Sequence, residues 1–458
     1  MELMELMPVL MFAALGLLLF SGYPVAFVLG GVGLAFGLIA IAIGHPGFLN
    51  INKFFLVTLR IFGGTMENLV LVAVPMFIFM GTMLEKSGVA EDLLHTLQVL
   101  TRRLPGGLAM SVTLMGTILA ATTGIIGASV VLMTLMALPI MLQRQYHVPL
   151  ATGTIAASGT LGILIPPSIM LVIMADLLSI PVGTLFVAAV IPGFMLSAIY
   201  LGYIFVRSWL SPRLAPPLPE DIGPSNAAEL WGMIFKTFVP PVFLIVLVLG
   251  SIFAGIATPT EAAGVGAVGA TLLAWFNRKL NWTTLREVCE RSALTGAMLF
   301  GIFVGATCFS YVFRALGGEE VILHVIDAFG GSPWIILFVL MGTVFLLGFF
   351  FDWIEITLIV LPVFAPIVNL LDFGGHLPGA AWTVPWFAIL VAVNLQTSFL
   401  TPPFGFALFY MKGVAPPEVK IQQIYQGVVP FVLLQLVGLG LIMAFPDLAL
   451  WLPQVLLD

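Results

Sequence analysis

Charged residues along this chain fall in short clusters parted by long apolar runs. No Asp, Glu, Lys or Arg occurs in 6–52, 104–143, 145–175, 177–206, 237–260, 328–351, 373–411 or 421–446. A helix needs about 20 apolar residues to cross about 30 Å of hydrocarbon. The pattern predicts ten crossing helices, near 6–20, 24–44, 66–84, 152–176, 184–206, 237–256, 258–276, 292–314, 383–411 and 425–446. Two apolar stretches remain, 108–142 and 333–369, each with a small or polar centre. Their arms, of about 14–16 residues, are short for a span and suit re-entrant hairpins.

Composition agrees with this pattern. Of 458 residues, 60% are hydrophobic and 8% charged, where a soluble domain carries roughly a quarter charged. The expected fold is an all-α polytopic membrane protein embedded in a lipid bilayer. The start is apolar from Leu6 and has no Lys or Arg before Lys53. It lacks the basic region of a signal peptide and reads as a retained first helix. The net charge of −6 is spread over short loops, with no basic tract that points to nucleic acid. Cys289 and Cys308 form neither a disulfide framework nor a zinc site.

Charge also orients the chain. With ten crossings and two returning hairpins, 13 of the 16 basic residues, Arg144, Arg207 and Arg291 among them, share one side. The loops 177–183, 317–332 and 370–382 opposite hold none. The positive-inside rule makes the basic side cytoplasmic, which puts both termini in the periplasm. Lys53 and Arg60 are exceptions in an outer loop, 45–65, that suits an interfacial helix. Arg314 ends a span near the outer face, as an interfacial anchor or an anion ligand.

The order of features recurs. Gly22-Tyr23-Pro24 opens the second helix and Ala257-Thr258-Pro259-Thr260-Glu261 the seventh. Leu114-Met115-Gly116-Thr117 enters one hairpin and Leu340-Met341-Gly342-Thr343 the other. Pro166-Pro167 and Pro402-Pro403 follow them. Each half has five crossings and a hairpin, and five is odd, so the second half is inverted. The expected units are 1–206 (hairpin 108–142, broken helix 152–176), a cytoplasmic linker 207–236, and 237–458 (hairpin 333–369, broken helix 383–411). Inverted repeats with interrupted helices mark secondary transporters.

Two successive prolines remove two backbone donors and break a helix. The freed carbonyls need a partner inside the membrane. A plain kink is one reading; a bound cation such as Na⁺ is the other. Ser158, Thr397 and Ser398 supply hydroxyls beside the breaks, and Gly162 and Gly405 allow unusual backbone angles. The first hairpin tip, Thr122-Thr123-Gly124-Ile125-Ile126-Gly127-Ala128-Ser129, is small and hydroxyl-rich. A helix starting there aims its positive end into the membrane, where a carboxylate fits. The second tip, 348–357, carries Asp352 and Glu355 on one helix face. Asp352 is either a cation or proton ligand or the cap of the returning helix. Glu261 suits a helix start, and Asp176 reads as a loop residue.

Gly255-Ile256-Ala257-Thr258-Pro259-Thr260-Glu261-Ala262-Ala263 resembles the signature of the large membrane subunit of tripartite ATP-independent periplasmic (TRAP) transporters. So do 158–168, through Ser158-Gly159-Thr160 and Pro166-Pro167-Ser168, and Asn394 to Pro403. The resemblance spans nearly the whole chain. Gln396 and Ser398 stand where the commoner family form has an acid and a glycine. With Phe350, Asp352 and Glu355, this resembles the branch associated with mannitol or chloroaromatic compounds and with 2-oxo acids.

The resemblance implies an ion-transporter-superfamily fold: a scaffold and an elevator-type domain made of hairpins and broken helices. It implies a bacterial inner-membrane permease that is no enzyme, with no cofactor and with Na⁺ as coupling ion. Its partners would be a small membrane subunit, a periplasmic substrate-binding protein and a small organic acid. One Na⁺ site would draw on Thr122, Gly124, Ser158, Gly162 and Pro166. A second would draw on Gly348, Asp352, Glu355, Thr357, Thr401, Pro402 and Gly405. Substrate would meet Thr123, Ser129, Ser158, Asn394, Thr397 and Ser398. The alternative within transport is a stand-alone carboxylate/Na⁺ symporter. An intramembrane enzyme finds no HExxH, GxSG or GxGD motif to rest on, and a channel would not show saturable coupled uptake.

Overall fold

The computed structural model describes residues 3–457 except 49–50, 124–125, 220–222, 225, 322–323, 325–331 and 403–404. Among the described residues every regular element is helical. The first half holds α1 (Leu3–Leu19), α2 (Val25–Ile43), α3 (Ile51–Ile61), α4 (Ala73–Lys86), α5 (Val89–Thr101), α6 (Gly107–Thr123), α7 (Ile126–Gln143), α8 (Val148–Thr160), α9 (Ile169–Leu177) and α10 (Val182–Leu210). The second holds α11 (Ala227–Phe253), α12 (Pro259–Phe276), α13 (Trp282–Ala315), α14 (Pro333–Leu347), α15 (Trp353–Val368), α16 (Thr383–Leu400), α17 (Phe406–Val414), α18 (Ile421–Ala444) and α19 (Asp447–Leu457).

Among the described residues, seven helices are long and apolar enough to cross a membrane. The count is eight if Ile51–Met66 and Val70–Lys86, bent by 54°, form one span. The chain is a polytopic membrane protein. Six of the ten expected crossings are among the seven; 66–84 qualifies only within that bent pair, and three fall short for different reasons. Leu6–Leu19 is too short. The stretch 152–176 is divided between α8 and α9. Helix α12 opens on Pro259, Thr260 and Glu261 and is rich in glycine and alanine, which lowers its hydropathy. Conversely Ile126–Gln143, expected as a hairpin arm, is itself one of the seven. The arms of the first hairpin have 17 and 18 residues, longer than expected. Those of the second have 15 and 16.

Two helices had no counterpart in the expected segments. Helix α5 is amphipathic, burying Leu93, Leu94 and Leu97 and exposing Glu91, Asp92 and His95. Helix α19 packs on α10. Asp176, expected in a loop, lies in the last turn of α9.

The two broken helices occupy the centre. Every residue from Leu150 to Ala175 is buried, and so is all of α16. Irregular backbone at membrane depth is tolerated only where protein encloses it. The hairpins pack on the α8 and α16 segments of their own halves: α6 and α7 on α8, α14 and α15 on α16. Beyond each break the contacts cross over: α9 packs on α15, and α17 packs on α7.

The outer helices pair across the halves as well. Helix α2 packs on α13, and α12 on α4. Small residues make the approach possible. A Cβ on Gly305 would come within 2.4 Å of the Ala26 carbonyl, and one on Gly266 within 2.5 Å of Met80 Sδ. Helices α8 and α18 touch backbone to backbone, since a Cβ on Gly153 would lie 2.0 Å from the Gly427 carbonyl.

Candidate functional site

The first break follows from its sequence. Helix α8 tightens into a 3₁₀ turn at Leu161–Ile163, and the chain passes through a cis Pro166–Pro167 bond. Ser168 takes the extended N-cap conformation and opens α9. Its hydroxyl donates to the Ile163 carbonyl at 2.5 Å, bridging the gap. The first hairpin grips α8 from two directions. Ser158 faces α6, where its hydroxyl meets Thr113 Oγ1 at 3.1 Å. Gly159 faces α7, where a Cβ would strike Val130 at 2.4 Å.

The second break is built similarly with different chemistry. Asn394 Nδ2 donates to the Met341 carbonyl on α14 at 2.7 Å. Thr397, Ser398 and Thr401 donate to backbone carbonyls of their own helix. Gly348 lies against Ser398, with no room for a Cβ between them. Asp352 caps α15: its carboxylate accepts from the Trp353 N–H at 2.8 Å. Glu355 reaches back to accept from the Asp352 N–H at 2.8 Å. The Asp352 carboxylate also accepts from the Glu355 N–H, so the capping role for Asp352 is realised as a full capping box. Thr357 is fully buried, and its hydroxyl finds no partner among the described residues. Gln396 is fully buried too, with both amide atoms unpaired among the described residues. In an interior that excludes water, such groups cost free energy until something pairs with them.

A cavity of about 460 Å³ connects the basic side of the molecule with both hairpin tips. In its lining Arg291 on α13 forks onto Glu85 on α4, both contacts at 3.2 Å. The lining also holds Gly127 and Ala128 of α7, Asp352 and Trp353 of α15, and Phe406 and Tyr410 of α17. The Tyr410 ring lies on Gly127, where a Cβ would come within 3.0 Å. Of the expected ligands, Asp352 lines this cavity; Ser158 and Asn394 are bonded to α6 and α14, and Thr397 and Ser398 to carbonyls of their own helix. Ser129, also buried, lies on α7. Gly162 is buried in the first break with Pro166; Pro402 and Gly405 stand in the second. The side chains of Thr122 and Thr123, and all of Gly124 and Pro403, lie outside the described residues. Arg291, Glu85 and Tyr410 did not stand out in the sequence. Glu85 lies in the last turn of α4, Arg291 lies within α13 beside other basic residues, and Tyr410 sits on the short half-helix after a break.

A second cavity, of about 550 Å³, lies toward the other end of α13, with Arg60, Asp176, Tyr311, Arg314 and Pro362 in its walls. Arg291 and Arg314 are 23 residues apart on that helix, or about 35 Å. Asp176 accepts from Asn68 Nδ2 at 2.7 Å. Arg314 donates to the Pro362 carbonyl at 3.0 Å.

Comparison with known proteins gives one result. The family model "Tripartite ATP-independent periplasmic transporter, DctM component" matches residues 12–448. The C4-dicarboxylate TRAP transporter large permease protein of Pseudomonas aeruginosa is 30% identical over 395 residues, 85% of this chain and 87% of that protein. Its namesake in Rhodobacter capsulatus is 30% identical over 422 residues, 87% of this chain and 90% of that one. Among solved structures, the Alcanivorax borkumensis YdaH transporter superposes with a TM-score of 0.60 at 16% identity, covering 86% of this chain and 88% of its own. That last likeness concerns the fold.

Proposed function

The chain belongs to the DctM-component family of tripartite ATP-independent periplasmic transporters, and from that premise we propose that it is the large permease subunit of a Na⁺-coupled importer of a small organic acid. Members of this family work with a small membrane subunit and a periplasmic binding protein in a bacterial inner membrane. Here that binding protein would hand the acid to the outer face. The observation that carries the reading is the cavity running from the basic, cytoplasmic side to both hairpin tips, against two broken helices sealed in protein.

The repeat reading draws support from the packing. If α2 corresponds to α12, and α4 to α13, the α2–α13 and α12–α4 contacts are one contact seen twice. The crossed pairs α9–α15 and α17–α7 are related in the same way. The hairpins, broken helices and half-helices would then form a moving body of an elevator, and α2, α4, α12 and α13 part of its scaffold. Secondary transporters of inverted-repeat design bind substrate and ions where the repeats meet.

Na⁺ fits the breaks chemically. Hydroxyl and carbonyl oxygens are hard ligands, and hydroxyls that donate to a helix carbonyl keep lone pairs free. Ser158, Gly162 and Pro166 would serve the first site with the 122–124 tip. Gly348, Asp352, Glu355, Thr357, Thr401, Pro402 and Gly405 would serve the second. The acid, lying between them, would approach from the cavity side.

The tripartite reading is tested by omission. The chain and its small subunit are reconstituted in vesicles, and uptake of labelled substrate is measured with and without the cognate binding protein. Uptake is expected to need the binding protein. Full-rate uptake without it contradicts the tripartite reading and favours a stand-alone symporter.

A further inference from the structure

We propose that the cavity at the outer end of α13 is a reception site for a carboxylate, where Arg60 and the hydroxyls of Thr307 and Ser310 hold the acid before it reaches the interior; this rests on the importer reading above. Place in the fold carries the first half of the argument. Three helices, α9, α13 and α15, enter the walls of both this cavity and the one on the basic side. On α13 the basic-side cavity ends at Leu299 and the outer one begins at Phe303, one turn or about 6 Å further along. At α15 the first takes Asp352 to Ile354, and the second takes Leu358 and Pro362. The two cavities are opposite ends of one seam, closed between them where α15 packs on α13 and α9. A ligand held in the outer end lies on the line of transport.

The chemistry of the walls carries the second half. Thr307, Ser310 and Arg314 follow at three- and four-residue spacing, so they share one face of α13. The hydroxyls of Thr307 and Ser310 make no hydrogen bond among the described residues. Thr271 and Thr343, by contrast, donate to the carbonyl one turn back. Arg60, in the last turn of α3, has no partner among the described residues. Its helix is tied to α13 by the Tyr311 hydroxyl, which donates to the Lys53 carbonyl at 2.7 Å. Arg314 is engaged by the Pro362 carbonyl at 3.0 Å and, outside the lining, by Glu319 at 3.5 Å. Asp176, the acid in the lining, has one oxygen taken by Asn68 and forms no ion pair among the described residues. The cation left over is Arg60, and the groups beside it are two hydroxyls with protons to give. A guanidinium with hydroxyl donors matches a carboxylate.

The test reads the sign and the occupant of the cavity without the transported acid. A reporter thiol is placed by Gly64→Cys, in the lining, where an added Cβ meets nothing within 4 Å. Ala315→Cys, also in the lining, is the second reporter. The full chain with its small subunit, in a Cys289→Ser background, is set in phosphatidylcholine nanodiscs. Labelling rates with an anionic (sulfonatoethyl) and a cationic (trimethylammonioethyl) methanethiosulfonate are each divided by the rate with a free thiol. The anionic reagent is expected to be favoured at least fivefold. Arg60→Gln should remove most of that preference, and Arg60→Lys should keep it. Acetate replacing chloride at constant ionic strength should slow labelling at least threefold, but not in Arg60→Gln. No preference for the anionic reagent at either reporter, or acetate protection that survives Arg60→Gln, overturns the inference and leaves the importer reading standing. If phosphatidylglycerol slows labelling by itself and acetate adds nothing, a lipid phosphate is the occupant and the reception role is overturned. Preference and protection in a chain that shows no Na⁺-driven uptake would keep the carboxylate site and fail the importer reading alone.

Discussion

Arg314 donates to the carbonyl of Pro362, and Pro366, four residues further along the same helix, has no N–H to offer that carbonyl. The proline leaves an acceptor open on α15, and an arginine from α13 fills it. In the elevator reading this bond joins scaffold to moving body and has to break during transport. Removing Arg314 should destabilise the protein by about 1 kcal/mol, modest because the guanidinium is half-exposed. Pro366→Ala restores an N–H to the Pro362 carbonyl. In that background, Arg314→Ala should cost less than half as much. Thermal melts of the four proteins of this double-mutant cycle check it, and fully additive effects would remove the pairing.

Gly348 and Ser398 leave no room for each other's growth. A Cβ on Gly348 would lie 2.3 Å from Ser398 Cβ. Gly348→Ala should therefore lift the second hairpin off α16 and cut uptake at least tenfold. Ser398→Gly, which restores the commoner family residue, should return most of that activity in the double variant. Uptake and folded yield measured together decide it; a double variant as weak as Gly348→Ala speaks against the contact.

Asp352 separates capping from cation binding. Asparagine caps helices about as well as aspartate, so Asp352→Asn should change stability by less than about 1 kcal/mol. The charge is lost, so the Na⁺ concentration for half-maximal uptake should rise at least tenfold. An unchanged Na⁺ dependence leaves Asp352 as a cap alone.

Gln396 is fully buried with its amide unpaired among the described residues. Gln396→Leu keeps most of the volume and removes two polar atoms that find no partner. Its melting temperature in detergent should stay level or rise. A fall of several degrees would mean that the amide holds an ion or a water.

The long apolar runs and the two Pro-Pro breaks were legible because each is a local property of the chain. What was not legible depends on partners far away. Asn394 was expected at the substrate site through the resemblance alone; that its amide donates to the Met341 carbonyl, 53 residues earlier, could not be read from the sequence. Arg291 looked like a loop charge until α4 brought Glu85 to it from 206 positions away. Asp176 was misread because it lies near a turn, yet α9 carries its helical backbone through Leu177. The 54° bend between Ile51–Met66 and Val70–Lys86 falls near the boundary drawn between the outer loop 45–65 and the span 66–84, but its angle is set by packing that the sequence does not show. The capping box at Asp352 and Glu355 was half legible. Their three-residue spacing fixed the shared helix face but did not say whether cap or ion claims the oxygens.

Na⁺ coupling is the central claim, and ion replacement tests it most directly. Vesicles containing the chain and its small subunit are given the cognate binding protein and labelled substrate. They receive an inward gradient of either Na⁺ or K⁺ at equal ionic strength and membrane potential. Accumulation above the outside concentration is predicted with Na⁺ and none with K⁺. Equal accumulation under both gradients would contradict the account.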